Sequence, residues 1–145
     1  IADIELKIHC LQKSNVAMRE AIRSKEHAMK QTLHGCMLRI IEILDMLDSL
    51  YGNTNLDDKS SQHNSIILRK VSKRLKACLE YYGVSQITFD EGQFKVGEVR
   101  VLDKAEDSGI ESGRIITVCR KGYKHYDKLT KVYKVIRPAD VITAS

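Results

Sequence analysis

The chain has 145 residues, 43% of them hydrophobic and 30% charged, with no tryptophan, two phenylalanines and a net charge of +5. That length suits one ordinary domain if its segments fold back on one another, and the poor aromatic content suits exposed helices better than a thick core. No run of about eighteen apolar residues occurs, which argues against a membrane span, and an opening on Ile1 rather than methionine is expected of a trimmed N-terminus that would take any targeting signal with it.

Residues 1–50 carry no proline and a single glycine, Gly35. Ile4, Ile8, Leu11, Met18, Ile22 and Met29 recur three, four or seven residues apart. After one register shift near residue 32 the stripe resumes through Leu33, Met37, Ile40, Leu44, Leu47 and Tyr51. The spacing predicts one long helix with a heptad-like seam and a stutter. Fifty helical residues would span about 75 Å, whereas a compact chain of this length has a radius of gyration near 15 Å, so most of the stripe finds no cover in its own monomer. Residues 1–32 are therefore expected to pair with another copy as the coiled-coil stalk of a homodimer. Asn15 and Lys25 fall on that seam, where a polar residue either frays the coil or fixes its register and two-strandedness. The second half has a broader apolar face, with Ile41 and Ile43 added, as expected where more than two helices meet.

The stretch "YGNTNLDDKSSQHN" reads as a loop. A second helix is predicted over about Ser65–Tyr82, with Ser61 or Asn64 as N-cap and Gly83 as terminator. Its apolar side holds Ile67, Leu68, Val71, Leu75, Cys78, Leu79 and Tyr82; its other side is basic, and residues 63–82 hold five Lys/Arg against one acid. Two helices per chain in a dimer make a four-helix bundle. Residues 33–83 are assigned to this dimerisation segment, with Met37, Ile40, Leu44, Leu47, Leu68, Val71 and Leu75 as expected contacts.

From Val84 the period becomes two. "SQITF", "EVRVLD", "GRIITVCRK", "KVYKVIRP" and "DVITA" are short β-type runs, so residues 84–145 are expected to form a small, mainly antiparallel β module and the fold class is α+β. Arg120 to Arg137 holds seven Lys/Arg against one acid, and a partner with an acidic face would account for that excess. Pro138 is the sole proline; lacking an N–H, it is expected at a strand edge or bulge of the last strand.

Little in the sequence suggests catalysis. Cysteines 10, 36, 78 and 119 form no CxxC pair, which argues against a disulfide framework or zinc site and for free thiols in a reducing, cytoplasmic compartment. His34 and Cys36, two apart on a helix, face different ways. Asp45 and Asp48 read as part of a solvated helix face. No nucleophile elbow, P-loop, dinucleotide fingerprint or metalloprotease helix is present, so no enzyme, metal or cofactor is expected. "SKRLK" and the basic C-terminal hairpin raise nucleic-acid binding, but 19 interspersed acids and the lack of a base-stacking or groove-reading motif weigh against it. Lysines on an exposed strand also discourage edge-to-edge aggregation.

In this order the segments resemble the GrpE family, nucleotide exchange factors of DnaK-type chaperones. The resemblance rests on "YYGVSQITF" at the helix-to-sheet junction, Phe94 eleven residues after Gly83, Gly113 opening "GRIITVCRKGYK", and "IRPADV". The matching motif residues are Gly113, Ile115, Lys121, Gly122, Tyr123, Arg137, Pro138, Ala139 and Val141. "IEILDMLDSL" looks like the family's Leu-x-x-x-x-Asp-x-Leu-Asp segment, and a long basic hairpin, 124–134, separates the Lys-Gly-Tyr and Arg-Pro motifs. The resemblance implies a parallel dimer whose C-terminal β wing wedges against the chaperone's ATPase domain, opens its cleft and releases ADP, as part of the stress response and protein folding. It also implies wing contacts at Phe94, Cys119, Lys134, Arg137 and Thr143. Two other readings stay open: a scaffold of the same shape without exchange activity, and a basic coiled-coil protein that binds nucleic acid.

Overall fold

The computed structural model describes residues 1–52, 59–106 and 109–145. Helix α1 runs Ala2–Gly52 and α2 runs Lys59–Tyr81. The strands are β1 Val84–Gln86, β2 Val99–Ala105, β3 Ile115–Arg120, β4 Tyr123–Asp127, β5 Val132–Arg137 and β6 Ala139–Ala144. Two compact units result, Ile1–Cys36 and Met37–Ser145.

The first unit is helix alone. Asp3 and Glu5 sit in its first turn, where carboxylates suit the positive end of the helix dipole. Every residue of the unit except Gly35 is exposed, and the seam residues Ile4, Leu11, Met18, Ile22 and Met29 are each more than half exposed. Near the stutter, Thr32 Oγ1 donates to the carbonyl of Ala28 at 2.9 Å, a back-bond that tends to bend helices.

The second unit has a core to which both helices and two of the strands contribute. Ile41 and Leu44 of α1, Leu79 of α2, Val84 of β1 and Tyr123 of β4 are at most 2% exposed, with Met37, Ile40, Leu75 and Ile136 packed around them. Leu44 therefore lies inside its own chain. In the second unit α1 leaves Ile43, Met46 and Leu50 exposed, and α2 leaves Ile66, Ile67 and Val71 exposed.

Helix α2 begins at Lys59, six residues before the expected Ser65. The stretch 59–64 is polar but contains no glycine or proline, so nothing breaks the helix, and Ser61 and Asn64 lie within it rather than capping it. At the other end Gly83 takes φ +80°, and its amide donates to Glu80 O at 3.0 Å. This left-handed residue turns the chain into β1, and a Cβ here would stand 3.1 Å from Tyr126 O.

The β region is two three-stranded sheets. One has the order β1-β4-β5 and is antiparallel throughout; the other has the order β2-β6-β3, with β6 parallel to β2 and antiparallel to β3. The module is thus mainly antiparallel, as expected, with one parallel pairing added. Strand β4 was absent from the five predicted runs because "YKHYD" mixes polar and aromatic residues without clean alternation. Pro138 does not sit within the last strand. It separates β5, at the edge of the first sheet, from β6, at the centre of the second. The chain makes the reverse change of sheet at Lys121–Gly122, between β3 and β4. These two crossovers touch: a Cβ on Gly122 would lie 2.5 Å from the nitrogen and 3.0 Å from the Cα of Ala139. Only glycine permits that approach.

Candidate functional site

The side chains around this crossing form the densest charged cluster among the described residues. Arg137, the last residue of β5, points its guanidinium at α1: Nη1 donates to Asp45 Oδ2 at 2.6 Å and Nη2 to Asp45 Oδ1 at 2.9 Å. Its Nη2 and Nε also donate to the Lys121 carbonyl, at 2.6 and 3.2 Å. The planar fork of arginine matches a carboxylate in this bidentate way, which a lysine could not do. Arg120 Nε reaches Asp45 Oδ2 at 3.3 Å, and Lys121 Nζ donates to Asp48 Oδ2 at 2.8 Å. Three basic residues at the ends of β3 and β5 thereby fasten both sheets to two acids one turn apart on α1.

Burial alone would raise the Asp45 carboxyl, but the hydrogen bonds and charges of Arg137, then of Arg120, outweigh it and hold the group below the ordinary 3.8. Beneath the clamp lies Tyr123, 2% exposed, with the Arg137 guanidinium carbon 5.6 Å from its ring centroid. Its hydroxyl is buried and has no hydrogen-bond partner among the described residues. Burial, followed by the negative charges of Asp48 and Asp45, pushes the phenol up to about 12, with Arg137 acting in the opposite sense.

Asp45 and Asp48 are thus not a solvated face. The acids that the sequence reading set aside are the anchors of the module, and the missed signal was their position three apart within "LDMLD" beside an apolar helix face. The rest of the "IRPADV" motif is structural as well. Asp140, 7% exposed, takes a bidentate pair of 2.8 Å hydrogen bonds from its cross-strand neighbour Arg100, and Val141 is fully buried. Gly113, with φ +85°, donates its amide to Ala144 O at 2.8 Å and closes the far end of β6.

The expected partner contacts are not brought together. Lys134 is exposed on β5, an edge strand, opposite His125. Cys119 is exposed on β3 in the other sheet. Phe94 is 36% exposed and follows the 3-10 turn Asp90–Gly92. Thr143 is 2% exposed within the central strand β6, and the Arg137 side chain is 11% exposed inside the clamp. The hairpin joining β4 to β5 is stiffened by Asp127, whose Oδ1 accepts from Leu129 N at 2.9 Å and whose carbonyl accepts from Lys131 N at 2.8 Å. Tyr126 and Tyr133 pack their rings 5.0 Å apart, and Lys124 Nζ lies 4.5 Å from the Tyr133 centroid. Among the described residues no group of three or more His, Cys, Asp or Glu could hold a metal ion, and no helix is long and apolar enough to cross a membrane.

A long helix, a second helix and a two-sheet β module fastened at Asp45 and Asp48 of the first helix define an α+β protein. The GrpE family profile matches residues 5–145, and the chain belongs to the GrpE family. It is 25% identical over 122 residues to "Protein GrpE" of Campylobacter fetus subsp. fetus (strain 82-40), a match covering 84% of this chain and 66% of that relative, just under two thirds of its length.

Proposed function

We propose that the chain is a homodimeric co-chaperone that promotes ADP release from a DnaK-type chaperone by engaging its ATPase domain with the β wing. The observation that carries this reading is the clamp: the residues that match the family motif, Lys121, Gly122, Tyr123, Arg137 and Pro138, all meet at the crossing where β3 passes to β4 and β5 to β6. A protein that opens another's cleft must resist deformation itself, and a bidentate arginine over a buried tyrosine supplies that stiffness at the root of the wing. Mechanistically the activity is differential binding. A partner that prefers the open, nucleotide-free chaperone lowers nucleotide affinity by the same coupling factor, with no bond made or broken by the chain.

The exposed seam of the first unit and the exposed Ile43, Met46, Leu50, Ile67 and Val71 of the second favour a second copy as their cover. Leu47 and Leu68, each partly buried, flank the same faces. In this reading Phe94, Cys119 and Lys134 touch the chaperone, whereas Arg137 and Thr143 hold the strands that present them. Release of labelled ADP from the DnaK-type chaperone of the same organism, with and without the chain, tests the proposal. Acceleration is expected, and its absence would overturn the exchange reading in favour of a scaffold. Retention on DNA or RNA at about 0.2 M salt, where purely electrostatic binding is weak, would favour the nucleic-acid reading instead.

A further inference from the structure

Helix α2 brings Arg69, Ser72, Lys73 and Lys76 to one face, because residues three, four and seven apart lie on neighbouring turns. Asp48 and Tyr51 of α1 stand opposite, and the six side chains line a cavity of about 400 Å³. That volume falls in the range of small-ligand sites, about 300–1,000 Å³.

The charge in the cavity is one-sided. Its one acid among the described residues, Asp48, is already paired with Lys121 at 2.8 Å, whereas Lys73 and Lys76 have no carboxylate partner among those residues. Arg69 is held in place rather than free to swing: its Nε donates to Tyr51 Oη at 2.7 Å, Tyr51 Oη donates to Ser65 O at 2.8 Å, and the guanidinium carbon lies 5.4 Å from the Tyr51 ring centroid. The terminal nitrogens of that fork have no partner among the described residues. Ser72 lines the cavity between these cations, its own hydroxyl buried and without a hydrogen-bond partner among the described residues.

We propose that this cavity binds a linear phosphate chain, either free pyrophosphate or polyphosphate or the phosphate tail of a nucleotide. Arg69 to Lys76 covers about 10 Å of helix axis, so the cations are spread along a row that several linked phosphates can follow and one phosphate cannot. The arginine fork addresses two oxygens of one phosphate at once, while the lysines act as point charges on the next. Nothing in this assignment depends on the exchange activity.

Calorimetric titration of the intact chain with tripolyphosphate, pyrophosphate, inorganic phosphate and ADP tests it. Tripolyphosphate should bind saturably and at least about tenfold more tightly than inorganic phosphate, a difference of about 1.4 kcal/mol. Lys73→Gln with Lys76→Gln should weaken tripolyphosphate binding by about tenfold or more, with helical circular dichroism unchanged. The single variant Lys73→Gln serves if the double variant unfolds. ADP binding as tightly as pyrophosphate identifies the nucleotide as the source; much weaker ADP binding identifies the free chain. Equal affinity for tripolyphosphate and inorganic phosphate, no saturable binding, or affinity untouched by the lysine variants would overturn the proposal.

Discussion

Arg137 and Asp45 stand 92 residues apart in sequence and meet through two parallel hydrogen bonds of 2.6 and 2.9 Å. The arginine side chain is 11% exposed and the aspartate 26%, so the pair is shielded on one side and wet on the other. Removing Arg137 leaves the partly buried Asp45 with only the longer contact to Arg120, and a hydrogen bond to a charged group contributes about 1.5–3 kcal/mol. Arg137→Ala should therefore lower stability by about 2 kcal/mol in urea denaturation followed by the tyrosine near-ultraviolet signal. Arg120→Ala, which removes a longer contact from a side chain 46% exposed, should cost less than about 1 kcal/mol. Equal losses in the two variants would contradict the assignment of the clamp to Arg137.

The same pair sets an acid limb. A carboxyl whose folded-state value is held below its unfolded value of 3.8 contributes stability that is fully present above that value and is lost as pH falls through the folded value. Unfolding free energy should decline below about pH 4, and Asp45→Asn should flatten that decline while lowering stability at neutral pH. A decline of unchanged steepness in Asp45→Asn would assign the acid limb to other carboxyls.

Tyr123 gives the opposite limb. Its phenol is pushed up to about 12 from an ordinary 10.0, so the neutral form is favoured in the fold. The unfolded chain loses its proton first, and stability present below pH 10 falls as pH rises towards 12. Ultraviolet titration of phenolate should show one late component that Tyr123→Phe removes. Because the hydroxyl is buried without a partner among the described residues, that variant should be no less stable than the parent at neutral pH, since deleting an unsatisfied group removes its desolvation cost. A loss above about 1 kcal/mol would show that the hydroxyl is hydrogen-bonded in solution.

Much of this architecture was legible because its signals are local. The heptad stripe from Ile4 to Met29 demanded a long helix, and the change of period at Val84 announced strands. The clamp was not legible, because Asp45, Arg120 and Arg137 are ordinary surface residue types until the fold brings them together. Helix α2 starts six residues before its apolar stripe because Lys59–Asn64, though polar, holds no glycine or proline to break it. Pro138 was recognised as a place where a ladder must stop, but the sequence could not say that the chain changes sheets there; that depends on Gly122, sixteen residues earlier, passing beneath Ala139.

Two glycines should respond in opposite directions to the same substitution. A Cβ at Gly122 would lie 2.5 Å from a backbone nitrogen that belongs to the central strand β6 and donates to Glu98 O, so neither chain can yield without breaking a ladder. Gly122→Ala should cost about 3 kcal/mol, at the upper end of overpacking effects. At Gly35 nothing lies within 4 Å of the added carbon, and alanine exceeds glycine in helix propensity by about 1 kcal/mol. Gly35→Ala should raise the thermal midpoint of the helical signal. A destabilised Gly35→Ala would mean that another copy's side chain occupies that space.

Lys134 tests the wing as a partner surface, on the reading that it meets an acidic chaperone. It is exposed on an edge strand whose neighbour Tyr133 is 56% exposed, and it takes no part in the core or the clamp. A charge at the rim of an interface acts mainly on the association rate and its salt dependence. Lys134→Glu should thus slow association with the DnaK-type chaperone several-fold at low salt, by about 1 kcal/mol in affinity, with the difference shrinking as salt is raised. Phe94→Ala should act on the dissociation rate, because it removes apolar contact area rather than charge. Sedimentation of both variants should match the parent. On the homodimer reading proposed above, dissociation of the dimer by Lys134→Glu would assign the β5 edge to assembly, and the proposed chaperone contact would have to be sought on the opposite sheet, around Cys119.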